Sequence, residues 1–189
     1  MILGFGALTL GVIARWTIGL DAWATQTIQA IIPRSWDVAL SVLSLVGSFE
    51  VTTILVTWAG WRLKKDLGKV ALVLILYGAG MGIELAGKMF VNQVNPPAIY
   101  HRYVLPFAFP SSGVQTGNSY PSGHSFRTVF GVVLVWQLAK NRNQKIALVA
   151  YTTFMLLSRV SLGEHWMSDV IGGGLLGIIL GNLGRKVPI

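Results

Sequence analysis

The sequence predicts an all-α, polytopic membrane helix bundle with about six transmembrane helices, built as a single domain over residues 1–189. Hydrophobic residues make up 53% of the chain and charged residues only 12%. A soluble domain carries about a quarter charged residues, because its surface must face water. Apolar runs of roughly 20 residues, the length that crosses the hydrocarbon core of a bilayer, recur along the chain.

Five of the predicted spans are apolar runs bounded by charged or turn-forming residues. They cover residues 37–61, 70–91, 122–139, 146–162 and 166–183. A long connection over residues 92–120, rich in Pro, Ser, Gly and Asn, separates the run that ends at residue 91 from the next one.

The first span is less regular than the others. Residues 2–14 are apolar, but Arg15 follows them, and at about 1.5 Å rise per residue this run is short for a span. We expect the helix to continue to Leu20, with the Arg15 side chain reaching towards the interface. Residues 21–32 then form an interfacial amphipathic helix that Pro33 ends. Without the first span, five remain and only the N-terminus changes side.

The distribution of positive charge predicts the orientation in the membrane. The formal net charge is +8, and most of the cations flank the ends of apolar runs, as expected of cytoplasmic loops. Both termini are therefore expected to be cytoplasmic. A nucleic-acid partner is not expected, since its footprint would be a basic stripe interleaved with exposed aromatic residues. Nine of the fifteen cations lie in three clusters at the ends of apolar runs: Arg62, Lys64, Lys65, Lys69, Lys140, Arg142, Lys145, Arg185 and Lys186.

Other sequence features exclude further classes of site. The chain contains no cysteine, which excludes disulfides, thiolate nucleophiles and cysteine-ligated metals. The first ten residues lack the basic region and small-residue cleavage site of a signal peptide, so none is expected. Two glycine series, one from Gly78 to Gly82 and one through Gly173, Gly177 and Gly181, predict close helix packing.

The remaining polar residues gather at the outer membrane face of this topology. Ionisable groups inside membrane proteins are costly and usually functional. A single arginine at a helix end could simply reach water, but the convergence of so many polar side chains indicates a site. The group comprises four cations, three histidines and two acids: Lys88, Arg102, Arg127, Arg159, His101, His124, His165, Glu164 and Asp169.

The spacing within this group favours phosphoryl chemistry. His165 and Asp169 are four residues apart and share a helix face, so the carboxylate could fix the imidazole tautomer and leave the other nitrogen as a nucleophile or base. The segment Pro-Ser-Gly-His at residues 121–124 precedes an apolar run, which places free N–H groups at a helix N-terminus where an anion is stabilised. Taken alone, the first feature is equally well explained by a structural hydrogen bond within a helix, and the second by a turn with a helix cap. Cations at Lys88 and Arg159 add the charge that a phosphoryl group requires.

Metal binding is the competing chemistry. Histidines and acids could bind zinc, but the same group holds four cations, which would repel a divalent ion and attract an anion. We therefore expect no metal.

Three stretches resemble the signature motifs of the type 2 phosphatidic acid phosphatase (PAP2) family, membrane lipid phosphatases related to acid phosphatases and vanadium haloperoxidases. The family pattern is K-x6-RP, then PSGH, then SR-x5-H-x3-D. The corresponding stretches are residues 88–96, 121–124 and 158–169, and every fixed position matches except one. The resemblance implies a PAP2/acid-phosphatase-like helical core without metal or other cofactor.

The resemblance also implies a role for each matched residue. His165 attacks phosphorus and forms a phosphohistidine, Asp169 orients it, and His124 protonates the leaving oxygen. The phosphate-binding groups are Lys88, Arg159, Ser122, Gly123 through its N–H, and the residue at the arginine position of the first motif.

That arginine position is the one departure, because Asn95 occupies it. An amide cannot form a charged bidentate clamp. We hypothesise that Arg127, one helical turn after His124, takes over part of the clamp, in preference to Arg102. Alternatively, Arg127 pairs with an acid inside the membrane, either Glu84 or Glu50. Glu84 is also placed to pair with Lys88 at i, i+4.

The sequence thus favours a metal-independent phosphatase acting on a membrane lipid phosphate or pyrophosphate at the outer side of the cytoplasmic membrane. Phosphatidylglycerophosphate, phosphatidic acid and undecaprenyl pyrophosphate are the candidate substrates, with a slight preference for the first or the last. A neutral nucleophile and a protonated acid predict a bell-shaped pH profile. The alternative is a non-catalytic membrane protein or transporter that binds anionic lipid head groups.

Overall fold

The computed structural model describes residues 1–110 and 117–187, and these form eight α-helices joined by short turns and one long connection. The only extended pairing in these ranges is an isolated antiparallel bridge between Val94 and Asn118. The predicted all-α fold is confirmed. The helices are α1 (Ile2–Ile13), α2 (Ile18–Ile31), α3 (Asp37–Val46), α4 (Phe49–Lys64), α5 (Leu67–Phe90), α6 (Gly123–Val135), α7 (Arg142–Ser161) and α8 (Met167–Lys186).

The first apolar run does not continue to Leu20, and that prediction is wrong. Helix α1 ends at Ile13, and Arg15 adopts a left-handed conformation with φ of 61°. The Trp16 N–H then donates to the Gly11 carbonyl at 2.9 Å, which is the closing bond of a Schellman helix end. Helix α2 lies at 98° to α1. It begins three residues before the predicted amphipathic segment and ends one residue before the end of that segment.

The predicted span over residues 37–61 is also divided. Helices α3 and α4 meet at an angle of 52°, and the Ser48 hydroxyl caps α4 by accepting from the Val51 N–H. Gly47 lies at the bend, and a Cβ there would come within 2.9 Å of the His124 ring. The chain bends where it passes under a histidine of the polar group.

The other four spans follow the predicted runs within a few residues. Helices α5 and α8 are each long and apolar enough to cross a bilayer, and the number rises to four if the bent pairs α1–α2 and α3–α4 each form one span. The remaining two, α6 with 13 residues and α7 with its polar first turn, do not meet that test. The count of about six spans therefore remains a prediction.

The closest helix pair in the bundle is α6 against α8. A Cβ on Gly173 would lie 2.2 Å from the Ser122 carbonyl oxygen, and one on Gly177 would lie 2.7 Å from that of Phe126. The predicted role of the second glycine series is therefore confirmed. For Gly78 and Gly82 the prediction is wrong, because a Cβ at either position would meet nothing within 4 Å.

An aromatic core fills the space beside this helix pair. Tyr77, Phe126 and Phe130 are fully buried or nearly so, and their ring centroids lie between 5.4 and 5.8 Å apart. The Tyr77 hydroxyl shares a 2.8 Å hydrogen bond with that of Thr52, which satisfies its polar end. The core ties α4 and α5 to α6, below the end of the bundle where the polar residues lie.

The glycine contacts predict a difference between two identical substitutions. We expect Gly177→Ala to lower the free energy of unfolding by about 1–3 kcal/mol, because the new methyl group overlaps backbone of α6. Gly82→Ala adds the same methyl group to open space in another helix and is expected to be neutral or stabilising by up to about 1 kcal/mol. Thermal unfolding in detergent measures both. Equal unfolding temperatures for the two variants would contradict the close approach of α6 and α8.

Candidate active site

One cavity of about 470 Å³ collects most of the predicted site residues. It lies where α5 ends, α6 begins, α7 ends and α8 begins, with the bend between α3 and α4 as a further wall. Seven of the nine predicted site residues line it: Lys88, Asn95, Gly123, His124, Arg127, Arg159 and His165. The other two, Ser122 and Asp169, lie directly behind this lining and are fully buried.

His165 is presented by a tight turn between α7 and α8. The turn requires Gly163, which has φ of 67° and whose Cβ would lie 2.1 Å from the Tyr100 carbonyl oxygen. The backbone N–H groups of Glu164 and His165 both donate to the Arg159 carbonyl, at 3.0 and 3.2 Å. These bonds fix His165 relative to Arg159.

Asp169 holds the imidazole from behind. Its Oδ2 lies 3.4 Å from His165 Nδ1 and accepts the Trp166 N–H at 2.9 Å. The carboxyl group is wholly buried, whereas 11% of the His165 side chain remains exposed. Since Nδ1 faces Asp169, Nε2 is the ring nitrogen left for the cavity.

The environment of His165 favours the neutral ring. Burial in the first place, and then the positive charges of Arg159 and Lys88, lower the pKa of His165 from 6.5 to about 3. A neutral imidazole at physiological pH has the lone pair that a nucleophile needs.

His124 and Ser122 both lie at the start of α6 but have different structural roles. His124 lines the cavity, with its ring against Gly47. The Ser122 hydroxyl caps α6 by accepting the Ser125 N–H, and the Ser122 N–H donates to the Asp169 carbonyl at 3.0 Å. Ser122 therefore links the starts of α6 and α8 and does not itself line the cavity.

Glu84 joins two of the cations. Its carboxylate oxygens lie 2.8 Å from Lys88 Nζ and 3.1 Å from an Arg127 guanidinium nitrogen. Arg127 also donates to the Gly47 carbonyl at 3.3 Å. Both expected pairs of Glu84 are thus present, and the pairing leaves Arg127 in the cavity wall. The carboxylate lies against the Cα of Gly123, where a Cβ would be 2.1 Å from it.

Arg159 is the third cation, and its side chain is only 3% exposed. One guanidinium nitrogen donates to the Ser44 hydroxyl. Another lies 2.9 Å from the carboxylate of Glu164, whose side chain is 36% exposed at the cavity edge. Arg159 is thus held on one side by a buried hydroxyl and on the other by an accessible acid.

The structure separates Arg102 from this site. Its guanidinium lies 2.7 Å from the Asp37 carboxylate and donates to the carbonyls of Gln29 and Ile32. Arg102 is 5% exposed and does not line the cavity. It holds α2 and α3 together, so of the two arginines weighed as replacements for the missing motif cation, only Arg127 is in position.

Sequence reasoning missed four polar residues of the lining: Ser44, Ser48, Tyr103 and Asn118. The two serines follow one another at i, i+4 inside a predicted continuous span, and only the bend at Gly47 turns that face into the cavity. The available signal was the small polar sequence Gly47-Ser48 within an apolar run.

The side chains present do not assemble a metal site in the part of the chain that the structure describes. Over residues 1–110 and 117–187 there is no group of three or more His, Asp or Glu side chains that could hold a metal ion.

Comparison with known proteins identifies relatives of this arrangement. The model of the PAP2 superfamily matches residues 66–188, which is more than half of the chain. Phosphatidylglycerophosphatase B of Bacillus subtilis is 26% identical over 143 residues, which cover 71% of this chain and 65% of that protein. Lipid A 1-phosphatase of Porphyromonas gingivalis is 39% identical over 70 residues, 35% of this chain and 16% of the relative. Each match spans less than two thirds of the relative's length.

Two solved structures share the fold. A transmembrane PAP2-type phosphatidylglycerolphosphate phosphatase from Bacillus subtilis superposes with a TM-score of 0.76, over 97% of this chain and 92% of that one, at 21% identity. LpxE of Aquifex aeolicus superposes with a TM-score of 0.69, over 88% and 95% of the two chains, also at 21% identity. The similarity extends through α1 and α2, beyond the residues that the family model matches.

The lowered pKa of His165 predicts part of the acid sensitivity of the fold. Between about pH 6.5 and pH 3 the unfolded chain binds a proton at His165 that the folded protein excludes, so stability falls as the pH falls, by up to about 1.4 kcal/mol per pH unit. His165→Asn removes this contribution. We expect its unfolding temperature to decline less than that of the wild type between about pH 7 and pH 4.5. Parallel declines would contradict a neutral, buried His165.

Proposed function

Because the chain belongs to the PAP2 superfamily, we propose that it is a lipid phosphatase that removes the terminal phosphate from a membrane lipid phosphate or pyrophosphate. The observation that carries the proposal is the cavity itself, whose lining brings His124 and His165 together with three cations. Such a set provides a nucleophile, an acid and charge stabilisation for a phosphoryl group in one place. We further propose that residues 1–189 act as one phosphatase domain.

The first chemical step is transfer of the phosphoryl group to the protein. Nε2 of His165 attacks phosphorus, the bond from phosphorus to the lipid oxygen breaks, and His124 gives its proton to that oxygen. Asp169 stabilises the positive charge that forms on the His165 ring, through the contact at Nδ1. The products of this step are the dephosphorylated lipid and a phosphohistidine.

The second step hydrolyses the phosphohistidine and regenerates His165. A water molecule attacks the phosphohistidine, His124 takes its proton, and the nitrogen–phosphorus bond breaks to release inorganic phosphate. His124 thus acts first as acid and then as base, as microscopic reversibility requires of one residue in two opposite steps.

Charge stabilisation comes from side chains. Lys88, Arg127 and Arg159 approach the same space from three helices, and fixed cations stabilise the charge of a phosphoryl transition state without the cost of reorganising water. Arg127 supplies the guanidinium that the first motif lacks at Asn95. The mechanism therefore requires no divalent ion.

The substrate class is proposed from the relatives together with the cavity. Phosphatidylglycerophosphate is the favoured substrate because a curated relative is named for that activity and covers most of this chain. Phosphatidic acid and undecaprenyl pyrophosphate present the same terminal phosphate on a different lipid. All three leave the lipid chain in the bilayer and place only the phosphate in the cavity.

We place the protein in the cytoplasmic membrane with the cavity facing the outer side. The basic residues Lys64 and Arg185 meet at the opposite end of the bundle, where Lys64 Nζ donates to the Arg185 carbonyl at 3.3 Å. Under the positive-inside rule that end is cytoplasmic. The orientation suits a phosphatase whose lipid substrate is in the outer leaflet.

Phosphate release in detergent tests the activity. We expect wild-type protein to release phosphate from phosphatidylglycerophosphate in the presence of EDTA, because side-chain cations replace a metal. We expect His165→Ala to be inactive, since it lacks the nucleophile. A parallel panel with phosphatidic acid and undecaprenyl pyrophosphate ranks the substrates. Binding of these lipids without any phosphate release would instead support a non-catalytic role.

The two arginines provide a matched comparison. Arg127→Ala is expected to lower kcat/KM by roughly 100-fold or more, since it removes a cation from the transition state. Arg102→Ala is expected to act on stability instead, by about 3–5 kcal/mol, because it leaves the buried Asp37 carboxylate unpaired. Steady-state kinetics and thermal unfolding separate the two effects. Equal small losses of turnover in both variants would reject the role of Arg127.

A further inference from the structure

The carboxylate of Asp21 lies buried at the start of α8, far from it in sequence. Asp21 belongs to α2, is 3% exposed, and forms no ion pair with a residue of the described ranges. A buried carboxylate without a cation is costly unless several donors hold it. Here the donors come from segments that carry the motifs of the candidate active site.

The first donors are at the N-terminus of α8. Asp21 Oδ1 accepts the Ser168 backbone N–H at 2.8 Å, and Oδ2 accepts the Ser168 hydroxyl at 2.7 Å. Helix N-termini leave backbone N–H groups without partners inside the helix, and the helix dipole favours a negative charge there. Trp166, at the N-cap position, has no side-chain oxygen for this purpose. Asp21 therefore supplies from another helix the N-cap acceptor that the Trp166 side chain cannot provide.

A second donor links Asp21 to the other two motif segments. The Gln93 side-chain amide donates to Asp21 Oδ2 and to the Ser168 hydroxyl, at 3.2 Å in both cases. The backbone carbonyl of Gln93 in turn accepts hydrogen bonds from the Ser119 N–H at 2.8 Å and from the Ser119 hydroxyl at 3.1 Å. All four residues are at most 5% exposed.

These bonds connect residues that lie in or close to all three motifs. Gln93 lies between Lys88 and Asn95, Ser119 precedes the segment that begins at Pro121, and Ser168 is the neighbour of Asp169. Asp21 itself lies outside residues 66–188, the part that the family model matches. The network is thus centred on a residue that the motifs do not include.

We propose that Asp21 is a positioning residue that sets the distance between His165 and the phosphate-binding cations. The inference rests on the proposed function for its kinetic consequence only. Asp21 does not line the cavity and touches no reacting group. It acts by holding the first turn of α8, and with it Asp169 and the His165 ring, in register with the end of α5.

The test compares two aspartates that both cap helices. Asp66 accepts the Lys69 N–H at 2.9 Å at the start of α5, is exposed, and lies at the opposite end of that helix from Lys88. Asp21→Ala is expected to lower kcat roughly 10- to 100-fold with KM within about twofold of wild type, because a small misplacement of the nucleophile slows chemistry more than binding. Asp66→Ala is expected to change neither constant.

Asp21→Asn guards against a variant that fails to fold. The amide keeps an oxygen for the Ser168 N–H but loses an acceptor for the Ser168 hydroxyl and Gln93, so an intermediate kcat is expected. Folded Asp21→Ala and Asp21→Asn proteins with wild-type kcat would overturn the proposal. So would a loss confined to the unfolding temperature and shared equally with Asp66→Ala.

Hydrogen exchange gives a readout that does not depend on activity. Amides of residues 167–170 are expected to exchange faster in Asp21→Ala than in the wild type, and to be unchanged in Asp66→Ala. If wild-type protein releases no phosphate but this exchange difference is present, the proposed function fails while the structural role of Asp21 stands. Unchanged exchange at these amides would overturn the role of Asp21 whatever the activity.

Discussion

The close approach of α6 and α8 is the constraint on which the candidate active site depends. The two helices start side by side, and the Ser122 N–H donates to the Asp169 carbonyl at 3.0 Å. Only glycine at position 173 allows this, because a Cβ there would lie 2.2 Å from the Ser122 carbonyl oxygen. The contact brings the second and third motifs together at the helix starts, so that His124 and His165 line one cavity.

Once these two helices are fixed, each further element adds one part of the site. The end of α5 contributes Lys88 and the buried Glu84, α7 contributes Arg159, and the bend at Gly47 gives room for the His124 ring. The order of construction follows the packing. The tight helix pair positions the groups proposed for covalent chemistry, and the looser neighbours bring the charges.

Much of the candidate active site could be predicted from the sequence, whereas the helix bends and the packing of individual glycines depend on tertiary contacts. Spacing alone paired His165 with Asp169 and Glu84 with Lys88, because residues four apart on a helix are neighbours. The sequence analysis missed the bends at Arg15 and Gly47, because hydropathy measures composition and does not detect a helix end inside an apolar run. The glycines at 78 and 82 were assigned to packing by pattern, yet what decides packing is whether another helix lies opposite them, which the local sequence does not specify.

Every cation of the cavity is already paired with a carboxylate, Lys88 and Arg127 with Glu84, and Arg159 with Glu164. On the proposed mechanism a phosphate group therefore exchanges with resident anions for its contacts. This exchange lowers the net free energy gained when the substrate phosphate binds in its ground state, because the cations already interact with carboxylates in the free protein. Interactions that strengthen only as charge develops in the transition state raise the rate and not the affinity.

The same pairing supports the proposal that Arg127 serves in place of the arginine absent at Asn95. A guanidinium on the irregular connection would be held by loop backbone. Arg127 instead projects from the second turn of α6, and both Glu84 and the Gly47 carbonyl fix its orientation. Electrostatic catalysis depends on charges that are positioned before the reaction. A helical arginine held by two acceptors has that property, which is why the proposed mechanism assigns the role to Arg127.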